Sequence, residues 1–499
     1  MEYDAIIIGA GVGGLACGLK LSCEGKKVLL LEKQPLPGGF ATTFSRKGFI
    51  FESAVHCVDT LTKTEEIRTF MDESGITKEI TFINLDDFAR IIYPDYDFVA
   101  DFKQDNFISV LKSNFPQERK NIDRFFRAFD KFHRQFERFN HSRLPLGIKL
   151  LISPLAYPMI ISTSISTAAQ FVDKYIKDAK LKAIVTDIWR FTGLPPSRLS
   201  AIYFLLVFEC YYYNSTAYVK GGFIKLFQAM VERIKESGSE VRFNTSVVKI
   251  ITRDGKRVKS VVTDKGEEFS ARTIVSNANA IDTLTKMLDV DAVKEEYGRK
   301  LASLEKSVSA FQIYLGLSVP AKTLGMNHSI FSISNAYDHD ENYNYSMSGD
   351  YDRCSLELVD HAQIDPALAP QGKGTLLIMT LDNYANWRDL SEEQYQAKKK
   401  EVADKFIKRS EKYLPGLSKY IEVMEIATPR TMARFGTSPE GAIYGFAQTI
   451  GQSGINRLAQ ETKVKGLFLA GAWTMPGGGA HACFLSGIMA GELASKYLK

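Results

Sequence analysis

Three clusters of small residues stand out as able to do chemistry through their backbone. The first is Gly9-Ala10-Gly11-Val12-Gly13-Gly14, a G-x-G-x-x-G spacing. The second is the twin Gly38-Gly39, and the third is "GAWTMPGGGAHACFLSG", residues 471–487. The first has the context that gives such a spacing meaning. "DAIII" (4–8) predicts a buried strand before it, apolar Leu15, Ala16, Leu19 and Leu21 predict a helix after it, and "KVLLLE" predicts a second strand ending at Glu32. Gly9 permits the tight strand-to-helix turn, Gly11 lets backbone approach a pyrophosphate, Gly13 lies in the same turn, and Gly14 lets the helix pack on the sheet. The helix N-terminus then offers free N–H groups and a partial positive charge to phosphates. Glu32, 18 residues after Gly14 and followed by Lys33, is placed to accept hydrogen bonds from a ribose diol. An acid there repels a 2′-phosphate, so the dinucleotide expected is FAD or NAD.

The elements around these clusters decide between the two. "VKGLFLAG" (464–471) predicts another buried strand, followed by a Pro-Gly-Gly-Gly loop and a last helix beginning near Ala482. "YVKGGFIKLFQAMVERIKESGSEVRFNTSVVKI" (218–250) predicts a Lys-Gly-Gly turn, an amphipathic helix and a strand. Residues 241–278 predict alternating strands with a hairpin at Asp254-Gly255. Taken with "RKGFIFESAVHCV" (46–58), "DPALAPQGKG" (365–374) and "ATPRTMARFGTSPEGAIYGF" (427–446), the chain resembles the phytoene desaturase, carotenoid isomerase and retinol saturase families. These lie within the amine-oxidase-like flavoproteins. The resemblance touches the chain from residue 4 to beyond 490.

That resemblance implies an α/β fold, with a glutathione-reductase-like Rossmann FAD-binding domain and an interleaved α+β substrate domain. The FAD domain is discontinuous, from residues 1–90, 216–290 and 446–499. Residues 91–215, mainly helical, and 291–445, sheet plus helices, form the substrate part. FAD is the implied cofactor. Its cradle is carried over onto Gly9, Gly11, Gly13, Gly14, Glu32, Lys33, Gly38, Gly39, Val248 (at the adenine), Gly471, Ala472, Gly478, Gly479 and Ala480. His481 and His56 are the candidate catalytic side chains. The chain departs from the family pattern at three places. Ala472 stands where Asp is usual, so FAD is expected to rest on backbone there and to bind more loosely. Glu52 and Ala54 replace the Asp and Gly of the "G-F-x-F-D-x-G" segment. Phe40 and Ala41 follow the twin glycine where amine oxidases carry Arg, which leans away from amines.

The implied activity is desaturation, saturation or isomerisation of an apolar polyene or isoprenoid lipid by hydride exchange with flavin N5. Two readings stay open beside it: an amine-oxidase-like enzyme on a polar substrate, and a flavin- or lipid-binding protein without turnover. No Ser-His-Asp or metal spacing is present, and no motif identifies an electron partner. The formal charge of +5 is too mild to imply nucleic acid. Six scattered cysteines and a start that is a strand, with no signal-peptide pattern, predict a cytoplasmic protein. Residues 124–167 suggest peripheral contact with the inner face of a membrane. Phe125, Phe129, Phe132, Phe136 and Phe139 form a helical stripe among basic residues, which suits a core-facing helix or a membrane face. "LPLGIKLLISPLAYPMIISTSIST" (144–167) is apolar, but its prolines and Lys149 prevent a clean spanning helix.

Overall fold

Two seven-stranded sheets organise the chain. The computed structural model describes residues 2–499 except 56, 60–64, 86–88, 101–103, 143 and 213–215. The first sheet runs in the order Glu240–Arg242, Val28–Leu31, Glu2–Ile8, Glu268–Ser276, Arg257–Thr263, Val247–Arg253. Its central strands are parallel and apolar on both faces, as strands covered by helices on each side must be. Glu268–Ser276 is shared between two neighbours. Its first residues pair with Arg257–Thr263, and Ile274–Ser276 pair with the late strand Leu467–Leu469. The start, middle and end of the chain therefore meet in one sheet.

Several local expectations are met with sharper edges. The first strand spans Glu2–Ile8, and Gly9 turns it at φ +94° into helix Val12–Cys23. The Asp254-Gly255 hairpin has both residues at positive φ, 55° and 66°, the conformation a two-residue turn demands. The strand expected over 464–471 shrinks to Leu467–Leu469, because Gly466 and Gly471, both at positive φ, break the extended run. The last helix starts at Ala480 rather than near Ala482, immediately after Gly479 at φ +95°. This helix, Ala480–Leu498, packs on Val12–Cys23 through glycine. A Cβ on Gly487 would lie 2.2 Å from the Gly13 carbonyl oxygen.

The second sheet runs Ile421–Ala427, Ser309–Leu317, Gly374–Asp382, Leu356–Val359, Ile330–Ile333, Ala89–Tyr93, Tyr96–Ala100. It draws its last two strands from the early part of the chain, across the 90/91 division. The helices of residues 104–212 pack on one another as a separate layer.

In that layer the aromatic helix, Arg119–His141, turns inward. Phe125, Phe129 and Phe132 are fully buried, and Phe125 and Phe129 pack against Phe208 of helix Ala201–Tyr212. The stripe is therefore core for three of its five rings, the first of its two readings. A 3.6-residue apolar period marks a buried face without saying what buries it. The next segment behaves differently. Helices Leu146–Ala156 and Pro158–Ser164 leave Leu151 81%, Leu155 93% and Ile165 71% exposed. Among the described residues no helix is long and apolar enough to cross a membrane.

Candidate functional site

The carboxyl ends of the parallel strands converge on one place, where ligands of such sheets bind. Glu2–Ile8 leads to Gly9, Val28–Leu31 to Glu32, Glu268–Ser276 to Asn277, and Leu467–Leu469 to Gly471. These residues wall one end of a cavity of about 1600 Å³. The twin glycine closes onto the first loop: Gly38 N–H donates to Ala10 carbonyl at 2.8 Å, and both Gly38 and Gly39 hold positive φ. Glu32 is buried, and its carboxylate accepts from Ala10 N–H at 2.6 Å and from Gln34 N–H at 2.7 Å. Burial pushes its carboxyl upward against those two bonds. Beside it, burial pulls the Lys33 ammonium down.

Gly9, Gly11, Gly13, Glu32, Lys33, Gly38, Gly39, Val248, Gly471, Ala472, Gly478, Gly479, Ala480 and His481 all line this cavity. Gly14 does not. Its Cβ would come 2.0 Å from the Gly9 carbonyl oxygen, so its place is in helix–strand packing and not on the cavity wall. His481 sits in the first turn of the last helix. His56 lies outside the described residues.

Four residues were not singled out from sequence. Asn277 stands between the first and last glycine loops. Cβ atoms on Gly11, Gly13 and Gly471 would lie 2.6, 2.7 and 2.4 Å from its side-chain amide atoms. Its position one residue past a central parallel strand is the signal that could have found it. Arg457 is buried, and its guanidinium donates to the carbonyls of Thr474 at 3.0 Å, Phe446 at 3.1 Å and Ala472 at 2.6 Å. Desolvation brings it down to about 10. It fastens the loop on which the usual Asp is missing, and nothing in its local sequence marks it. Tyr203 adds a tie, donating to Gly478 carbonyl at 2.7 Å. Ser486 Oγ accepts from Gly471 N–H at 3.0 Å.

Glu52 is absent from the cavity wall. Its carboxylate accepts from Tyr218 OH at 2.6 Å, Thr43 Oγ1 at 2.9 Å and Phe223 N–H at 2.9 Å. It thereby caps helix Phe223–Glu236 from outside, because Gly222 at the N-cap has no side chain to do so. Burial raises it to about 7. Ala54, by contrast, does line the cavity.

Beyond the cradle the cavity runs between the second sheet and the helical layer. Gln312, Met379 and Glu357 form a row across three adjacent strands of its wall. Tyr444, Trp189 and Phe191 line the same region, and Phe136, Phe139, Leu150, Ile161 and Ile165 line it towards the exposed leucines.

A family model described as flavin containing amine oxidoreductase matches residues 12–493. The chain belongs to that family. Prolycopene isomerase 2, chloroplastic, of an Oncidium hybrid cultivar is 28% identical to it, over 98% of this chain and 83% of the relative. An all-trans-retinol 13,14-reductase of Danio rerio is 25% identical, over 99% and 85%. Cyclohexylamine oxidase from Brevibacterium oxydans shares the fold at TM-score 0.63 and 14% identity, over the whole of both chains. As a flavin containing amine oxidoreductase family member, the protein is an oxidoreductase whose cofactor is FAD, and the residues present fit it. A buried acid follows the second strand, and two helix N-termini, at Val12 and Ala480, adjoin the cavity. At Gly479 the direction a Cβ would take is open space. The volume exceeds the roughly 300–1,000 Å³ of a single-ligand pocket, which leaves room for a second molecule.

Proposed function

We propose that this protein is an FAD-dependent oxidoreductase acting on carbon–carbon bonds of an apolar polyene or isoprenoid lipid. The reaction is desaturation, saturation or isomerisation. One observation carries the reading: a single cavity joins the glycine cradle to an apolar passage that ends beside exposed leucines. The names of the relatives, which act on polyenes, support it. When bound, FAD supplies hydride exchange at N5.

The chain's own residues hold and enclose. Backbone N–H groups of Gly11 and Gly13 and the Val12–Cys23 helix N-terminus take the pyrophosphate. Glu32 would accept from the ribose diol, with Lys33 beside it, and Val248 would hold the adenine. Gly38 and Gly39 let the loop close over the cofactor. Ala472, held by Arg457 through its carbonyl, offers backbone only. Gly478, Gly479 and Ala480 would let the chain hold the ring, and the last helix, which begins at the cavity, would supply its positive end to the negative charge of reduced flavin. His481 would put a polar group at the flavin's pyrimidine edge. The apolar walls exclude water.

Substrate enters from a membrane leaflet. Leu151, Leu155 and Ile165 project beside cavity-lining Leu150 and Ile161, and exposed Arg138 stands nearby in sequence to meet anionic head groups. Incubating the FAD-loaded protein with polyenes, with flavin oxidised and then reduced, and weighing the products tests the activity. Loss or gain of two hydrogens, or a new isomer of unchanged mass, is expected. No product in either flavin state would overturn it.

A further inference from the structure

The deep part of the cavity is not wholly apolar. A one-turn helix, Asp187–Phe191, places Trp189, Arg190 and Phe191 on its wall. Arg190 is only 7% exposed. Its Nη2 donates to Asp187 Oδ1 and to Ser334 Oγ, both at 2.7 Å. Asp187 is held in turn by Ser332 Oγ at 2.9 Å. Arg190 Nε and Nη1, and the Trp189 indole Nε1, have no acceptor among the described residues. Buried donors left without an acceptor are costly, and a low-dielectric wall makes them more so. Glu357 lies on the same wall, close enough for Arg190 to influence its charge. These groups therefore gather donors and one carboxyl at a single corner of an apolar passage.

We propose that the Trp189–Arg190 corner receives a terminal hydroxyl, so that the substrate is a polyene alcohol rather than a hydrocarbon. This rests on the polyene reading above and narrows it. A hydroxyl oxygen accepts from Arg190 or Trp189, and its O–H donates a hydrogen bond to a Glu357 carboxyl oxygen. A hydrocarbon would leave Arg190 Nε and Nη1 and the Trp189 indole unmet. A carboxylate would add a third acid to Asp187 and Glu357 around one guanidinium. Because Tyr444 OH bonds the Arg190 carbonyl at 3.5 Å and Tyr444 packs on Gly478, the corner is tied to the cradle loop and fixes how far the bound end lies from the flavin.

The test is a binding comparison on the full FAD-loaded chain. A polyene hydrocarbon, its terminal alcohol and its terminal acid are each offered from the same phosphatidylcholine vesicles, and bound ligand is measured by extraction. The alcohol should bind about 10- to 100-fold more tightly than the hydrocarbon, the worth of a hydrogen bond to a buried charged group. Arg190→Met should erase that preference and leave hydrocarbon binding within about threefold. Since that change strands buried Asp187, the double variant Arg190→Met with Asp187→Leu is compared beside it. The comparison on the unaltered protein depends on no variant. Equal affinity for alcohol and hydrocarbon overturns the proposal, as does a preference for the acid. So does loss of FAD from Arg190→Met with the alcohol preference intact, which would assign these donors to the cofactor. If all three ligands fail to bind, the polyene reading itself falls, and the joint failure identifies it.

Discussion

At the scale of single residues, the glycines of the cradle divide by what a methyl would strike. On Gly11 it would meet the amide end of Asn277, a side chain that can move. On Gly14 it would meet the Gly9 carbonyl at 2.0 Å, and backbone there cannot yield without parting helix from strand. Gly14→Ala should therefore cost about 1–3 kcal/mol or more in thermal unfolding, and Gly11→Ala clearly less. Glu32 carries a separate prediction. Glu32→Gln keeps the shape but removes the charge that draws a ribose diol, and FAD affinity should fall about tenfold, one charge-assisted hydrogen bond's worth, in a fluorescence titration. An unchanged affinity would remove Glu32 from the cofactor site. Arg457→Met should release the Ala472–Thr474 loop, with faster FAD loss on dilution and a lowered Tm.

At the scale of elements, the contact between helices Val12–Cys23 and Ala480–Leu498 joins the two ends of the chain. It is close because Gly487 faces the Gly13 carbonyl at a distance no side chain fits, so Gly487→Ala should lower both Tm and FAD retention. The helices over residues 146–164 show the opposite condition, with apolar side chains facing outward. Leu151→Glu combined with Leu155→Glu should leave the unfolding free energy within about 1 kcal/mol of the unaltered protein, since neither leucine is packed. The same pair should sharply reduce sedimentation with anionic vesicles. If vesicle binding survives, another surface makes the contact. The sequence offered two stretches of 124–167, the Phe stripe and the apolar run after it, for membrane contact. Only folding separated the buried phenylalanines of its first helix from the exposed leucines of its second.

At the scale of the whole molecule, four buried carboxyls share with Glu32 one behaviour. Burial raises Glu52, Glu357 and Asp360 to about 7 and Asp382 to about 6. Unfolded carboxyls ionise near about 4. A folded value above the unfolded one means the native state binds more protons in between. The associated stability is full below about pH 4 and is lost as pH rises through about 6 to 7. Tm should therefore be higher at about pH 5.5 than at about pH 8. Buried His339, pulled downward by desolvation, opposes this below its ordinary range, but it is one group against four. Glu52→Gln should flatten part of the slope. A Tm that climbs steadily between those two pH values would contradict the account.

The cofactor end was legible because its physics is local. A strand, a tight glycine turn, a helix and an acid at fixed spacing dictate a phosphate cradle within about thirty residues, and a run of glycine after a late strand marks a second backbone surface. Those patterns determined the α/β class, the flavin cofactor and the family. They could not reach groups whose meaning depends on distant partners. Glu52 reads as a departure from a motif until Tyr218, Thr43 and Phe223 surround it. Asn277 and Arg457 are ordinary letters until three segments of the chain meet around them. Trp189 and Arg190 are two residues of an undistinguished turn. Only the packing of that turn against the second sheet buries a guanidinium and an indole together on the cavity wall, and desolvation, a property of the assembled surroundings, gives them their chemistry.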